Sequence, residues 1–143
     1  MTVHMVKLCV GADSVDDQQQ WVDRKSKANR EAGLGNIHDH VTRMRPRREG
    51  ELLDGGSIYW VIKGVILVRQ RIIGFEQRTG LDEIERTAIL LEPKLILTEP
   101  QPRRAFQGWR YLSADDAPKD LRKSSGKGPP PELGAELAEL GLL

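Results

Sequence analysis

The sequence is short of the features that announce an activity. It has one cysteine, Cys9, in 143 residues, so no intrachain disulfide can form, which fits a reducing compartment. Its apolar runs, such as Val65 to Val68, are far too short to span a bilayer. The N-terminus lacks a basic region followed by an apolar stretch, so no secretory signal is read and a cytoplasmic location is expected. There is no P-loop and no dinucleotide fingerprint, since Gly33-Leu-Gly35 is too short to count as one. Neither sign of charge dominates: 22 Lys and Arg face 21 Asp and Glu, for a formal net charge of +1. That balance excludes a uniformly basic nucleic-acid binder, although a neutral total can hide a basic face. No internal repeat is present, no cofactor is implied, and the oligomeric state is not legible.

What is present is a strongly β-prone stretch, Gly55 to Glu76, rich in Ile, Val, Tyr, Trp and Phe. It reads as two strands, Ser57 to Ile62 and Val65 to Phe75, folded back at Lys63-Gly64, where glycine accepts the positive φ of a tight hairpin; the alternative is one long strand with a glycine bulge. In the first arm Ile58, Trp60 and Ile62 share a face; in the second Ile66, Val68 and Ile72 do. Further strands are read at Val3 to Val10, His38 to Arg45, Glu83 to Leu91, Leu95 to Leu97 and Trp109 to Leu112, with Glu99 to Gly108 as a loop. Ser14, followed by Asp17, marks a helix start, and the helix runs to about Glu31 with Gly33 just beyond it. Its apolar stripe is thin (Val15, Trp21, Val22, Ala28, Ala32), so a mostly polar helix on the outside of the domain is expected. Residues 1–121 form one β-rich domain. Residues 122–143 read as a flexible linker, Lys123 to Pro131, and a short helix carrying Leu133, Leu137 and Leu140. The fold class is α+β: a small, bent, mixed or antiparallel sheet, expected to curl into a barrel, with one helix packed outside.

Candidate binding residues fall in two clusters. In His38-Asp-His-Val-Thr-Arg-Met-Arg-Pro-Arg-Arg48, four arginines (Arg43, Arg45, Arg47, Arg48) lie within six residues. Guanidinium groups fork onto phosphate oxygens and stack on bases. The competing reading is a solvated face partnered by Glu49, Glu51 and Asp54. In Arg103-Arg-Ala-Phe-Gln-Gly-Trp-Arg-Tyr111, basic and aromatic residues interleave, as stacking platforms beside charged grooves do. Here the competing reading makes Phe106, Trp109 and Tyr111 core. His38 and His40 share a strand face, but two ligands do not make a metal site, and no metal is expected. Thr42, Lys63 and Glu76 have the chemistry of nucleophile, base and acid without a spacing that unites them.

Four stretches, Met5-Val-Lys-Leu-Cys-Val-Gly11, His40 to Arg48, Leu53 to Gly64 and Phe106-Gln-Gly-Trp-Arg-Tyr111, resemble an uncharacterised family of small bacterial proteins known as a domain of unknown function. That resemblance implies no activity. More distantly, a threonine and arginines ahead of a glycine-led hairpin and a long strand are similar to PUA-like domains, including the ASCH group. Those are bent β-barrels, some of which bind RNA and some of which hydrolyse an acylated nucleoside with a Lys, Thr and Glu set. The lysine expected before Thr42 is replaced here by His38 or His40.

The resulting expectation is a nucleic-acid-binding module, RNA above all. Arg43, Arg45, Arg47, Arg48, Arg103, Arg104 and Arg110 would contact phosphates, and Tyr59, Trp60 or Trp109 would stack a base with Lys63 nearby. The alternatives are an enzyme acting on a nucleotide or modified nucleoside through Thr42, His38 or His40, Lys63 and Glu76, and a scaffold that recruits a partner through its C-terminal helix.

Overall fold

The computed structural model describes residues 2–104 and 106–121. The linker and C-terminal helix expected after Leu121 lie outside the described residues. Within them the chain is a mostly-sheet α+β fold of seven strands and two helices. The elements are β1 (Val3–Leu8), α1 (Val15–Glu31), β2 (His38–Thr42), α2 (Glu49–Leu53), β3 (Ser57–Ile62), β4 (Val65–Thr79), β5 (Glu85–Leu91), β6 (Ile96–Pro102) and β7 (Trp109–Ser113). No described helix is long and apolar enough to cross a membrane.

β4 is the spine. It pairs antiparallel with β3 on one side, the hairpin turning at Lys63 (φ 50°) and Gly64 (φ 79°). Its other side takes β6 along the first half and β5 along the second. β5 and β6 are one return strand interrupted around Pro93, which cannot donate to a ladder. β1 lies parallel to β3 and carries β7 on its far side, while β2 pairs with β5, giving the order β2-β5-β4-β3-β1-β7.

The sheet has an apolar cluster on each face. Met5, Ile58, Trp60, Val68, Ile72 and Leu91 belong to one, and Val6, Tyr59, Val61, Ile66 and Leu112 to the other. The alternation of β3 is as its sequence implies. That of β4 is not: bulges between Trp60 and Val61 and between Ile66 and Val68 shift the register, so Ile66 and Val68 sit on opposite faces. Two further expectations need correction. The Glu99 to Gly108 loop is in its first part strand β6, because both prolines sit where the edge needs no donor. And β4 runs on to Thr79, because β5 supplies it a partner that the sequence does not display locally.

α1 starts on Ser14, whose Oγ accepts from Asp17 N at 3.1 Å, and ends before Gly33 at φ 78°. Its buried face keeps only part of the apolar stripe: Val22 is buried and Trp21 contacts His38 and His40, but Gln18, Ser26 and Asn29 are buried too, while Ala28 and Ala32 are exposed. The reason is that α1 packs on polar side chains of β2. Asn29 Nδ2 donates to Ile37 O at 2.8 Å and to Asp39 Oδ1 at 2.9 Å.

β2 and β7, the two ends of the strand path, are not paired, so no strand ladder closes the sheet among the described residues. The arginine segment after β2 instead reaches β7 through side-chain bonds. Trp109 Nε1 donates to Met44 O at 3.1 Å, and Tyr111 Oη accepts from the backbone N–H of Arg47 (2.9 Å) and Arg48 (3.1 Å).

Gly56 stands where α2 meets the sheet, donating to Leu52 O and accepting from Ile72 N. A Cβ there would run into the carbonyl oxygens of Leu52 and Val3, neither of which can move without its element. Gly56→Ala is expected to cost about 3 kcal/mol in urea unfolding. Gly50→Ala, with open space around its Cβ, should be neutral or stabilise α2 by up to about 1 kcal/mol. Equal unfolding midpoints for the two variants would contradict this account.

Candidate nucleic-acid interface

The two arginine clusters take different environments. In the first, Arg45 pairs with Glu49 and Arg48 with Glu51, and the Arg48 guanidinium lies 5.2 Å from the centre of the Tyr111 ring. Arg43 and Arg47 are exposed and have no carboxylate partner among the described residues. Arg43 and Arg45 also line a shallow hollow of about 160 Å³ with Arg86 and Glu85.

The second cluster lies on the opposite face. On β7, Trp109 is level with Lys7 and shares the Trp60 face, whereas Arg110 is level with Val6 and shares the Tyr59 face. Arg103 and Arg110 lie close to the Phe106 ring, which packs against the second apolar cluster, their guanidinium carbons 5.9 Å and 5.6 Å from its centre. Arg110 is held in place by donating to Gln107 O (2.8 Å) and Trp109 O (3.1 Å). Arg103 N donates to Gly64 O at 2.8 Å, which sets the segment beside the hairpin turn and its exposed Lys63. None of Lys63, Arg103, Arg104 and Arg110 has a carboxylate partner among the described residues. The result is a half-buried aromatic ring flanked by unneutralised cations, the arrangement that suits a base beside its phosphates.

Phe106 was not among the aromatics expected to stack, and those that were are not available for it. Trp60 is 1% exposed and Trp109 7%, and both belong to the core. Tyr59, 4% exposed, lines a separate hollow next to His4. The proposed catalytic set does not assemble either. Thr42 is level with Thr87 and Gln77, which places it on the other face of the sheet from Glu76, and Glu76 is engaged with Arg78. Lys63 is at the hairpin turn, separated from Glu76 by most of β4.

His38 and His40 instead enter a polar chamber under α1 whose other members the sequence did not single out. Trp60 Nε1 donates to Gln70 Oε1 at 2.8 Å, which turns the amide nitrogen toward Glu92 O (3.0 Å) and His38 Nδ1 (3.1 Å). A neutral His38 accepting at Nδ1 carries its proton on Nε2. That Nε2, His40 Nε2 and both amide atoms of Gln18 are buried without a hydrogen-bond partner among the described residues. Trp21 meets both imidazoles in T-shaped contacts, at 5.3 Å and 6.4 Å, and Trp60 meets His40 at 5.2 Å. Trp21 is also one wall of an open hollow of about 410 Å³ that Gln20 and Arg24 line. On the other side of β2, burial works against ionisation of Asp39. Hydrogen bonds from Asn29 and Arg78, with the charges of Lys25 and Arg78, outweigh it and hold the carboxyl at about 2. No group of three or more described His, Cys, Asp or Glu residues is placed to hold a metal ion. Cys9 is core, its thiol pushed up to about 12 by burial. A polar residue at every third or fourth position of a helix already short of apolar ones was the available signal for Gln18 and Asn29. Gln70 had none, standing between Arg69 and Arg71 as one more polar residue of a long strand.

The chain belongs to the family described as a protein of unknown function (DUF1489), whose model matches residues 5–143. No curated protein and no solved structure matches it.

Burial pushes His38 and His40 from 6.5 down to about 4, with the Lys25 charge acting on both in the same direction and Lys7 also on His40. The unfolded chain therefore binds more protons than the folded one between pH 6.5 and about 4. The stability that the neutral rings contribute is complete above pH 6.5 and is lost as the pH falls through that window, by about 3 kcal/mol for His38. Urea unfolding across this range should show the loss in the wild type and a flatter profile in His38→Asn/His40→Asn. Parallel profiles would contradict it.

Proposed function

We propose that this chain is a nucleic-acid-binding module, with single-stranded RNA as its first candidate ligand. The observation that carries the reading is the Phe106 patch: an aromatic ring with Arg103 and Arg110 close to it, on a segment that also carries Arg104 and lies beside the Lys63 turn, with no carboxylate to neutralise it among the described residues. Guanidinium groups so placed grip phosphates while the ring stacks a base. The Arg43 to Arg48 segment makes a secondary contribution through Arg43 and Arg47, since Arg45 and Arg48 are engaged by Glu49 and Glu51. A PUA-like barrel fits the same reading: β4 carries register shifts at which a sheet can bend, and residues 44–48 bridge the two ends of the sheet in place of a strand pair.

The test is binding of a fluorescent single-stranded RNA over a salt series. Affinity should fall with log salt at a slope of about −0.7 per phosphate contact, so Arg103→Ala/Arg110→Ala should flatten the slope by about 1.4. Phe106→Ala should weaken binding by about 1–3 kcal/mol at every salt concentration, and Arg45→Ala/Arg48→Ala should change both quantities less. A salt-insensitive signal, or one that these variants leave unchanged, would remove the reading.

A further inference from the structure

On the Tyr59 face of the sheet, a hollow of about 340 Å³ is lined by His4, Tyr59, Arg69, Pro118, Lys119 and Asp120. The Arg69 fork is filled from within the chain. Its Nε donates to Asp120 Oδ1 at 2.7 Å and Nη2 to Oδ2 at 2.8 Å, while Nη1 donates to Ser57 Oγ at 2.8 Å. We propose that this hollow is a binding site for a small oxyanion, a carboxylate or a phosphate monoester, and that the Asp120 carboxylate occupies the position of that anion.

Three features of the hollow carry the proposal. The first is the donor set around the fork. His4 Nδ1 accepts from Ser57 N at 3.0 Å, so the neutral ring has its proton on Nε2, which makes no hydrogen bond among the described residues. Burial, with the Arg69 charge second, lowers the His4 pKa and keeps the ring neutral. Tyr59 is 4% exposed, and its hydroxyl has no partner among the described residues although the ring lines the hollow, edge-on to His4 at 5.1 Å. Lys119 adds an ammonium. His4, Tyr59 and Lys119 therefore line the hollow together with one bidentate guanidinium, and Asp120 is the one carboxylate among its lining residues.

The second feature is the way Asp120 is mounted. Its side chain is 49% exposed, against 22% for Arg69. The backbone around it is held to β6 independently of the ion pair, by Glu99 N to Lys119 O at 2.8 Å and Leu121 N to Leu97 O at 2.9 Å. The carboxylate can therefore turn out to water while the segment stays in place. The third feature is that Arg69 keeps its own anchor on Ser57, so the fork remains aimed at the hollow when Asp120 leaves it. The proposal does not depend on the Phe106 patch.

The experiment titrates inorganic phosphate and, separately, acetate into the full chain, and follows the imidazole resonances of His4, His38 and His40 by NMR. At least one of the two anions should shift His4 selectively, and which one does so distinguishes phosphate from carboxylate chemistry. Asp120→Asn should bind the same anion about tenfold more tightly, because the internal competitor loses its charge, and Arg69→Gln/Asp120→Asn should lose that gain. If Asp120→Asn fails to fold, the wild-type titration decides alone. The proposal is overturned if neither anion moves His4, if all three histidines move alike, or if a folded Asp120→Asn binds no more tightly than the wild type.

Discussion

One carboxamide holds the domain together. Gln70 accepts from the Trp60 indole on the neighbouring β3 and donates to a carbonyl at the β5–β6 break and to the His38 ring on β2. It thus links parts of the sheet whose backbones do not all touch one another. In a fully buried setting these bonds act in low dielectric, and removing the amide would leave an indole N–H, an imidazole nitrogen and a carbonyl without partners at once. The tautomer that His38 takes follows from this group, whereas its neutrality comes from burial.

The polarity of that floor explains the helix. A helix packed on aliphatic strands needs an apolar stripe; one packed on imidazoles and a carboxylate needs amides and hydroxyls that reach them. Asn29 meets that need by bonding Asp39 and the Ile37 carbonyl. Both amide atoms of Gln18 and the Nε2 atoms of His38 and His40 are buried there without hydrogen-bond partners among the described residues. The stability that this interior draws from neutral imidazoles is conditional on pH. The stability drawn from the two apolar clusters is not.

Charge is segregated in a way that the near-zero total conceals. Glutamates beside Arg45 and Arg48 and aspartates beside Arg69, Arg78 and Arg86 engage much of the positive charge. The basic residues around Phe106 are left unengaged, and they lie on the same face as the Arg69 hollow. Both proposed anion contacts therefore look out from one side of the sheet, although they rest on different residues and fail independently.

Local chemistry determined the elements that local chemistry specifies. The Ser14 cap, the Gly33 stop, the Lys63-Gly64 turn, the alternation of β3 and the α+β class were legible because each depends on residues adjacent in the chain. So was the grouping of the basic residues into two clusters, though not which of them a glutamate would neutralise. Tertiary structure alone decided the rest. The β4 bulges moved Val68 to the face opposite Ile66, β5 drew β4 out to Thr79, and the 44–48 segment came to rest on Trp109 and Tyr111. Gln70 acquired its role from partners 10, 22 and 32 residues away, and Asp120 from one 51 residues away. A polar side chain shows its type in a sequence; the donor or carboxylate that will meet it is chosen by the register of strands distant in the chain.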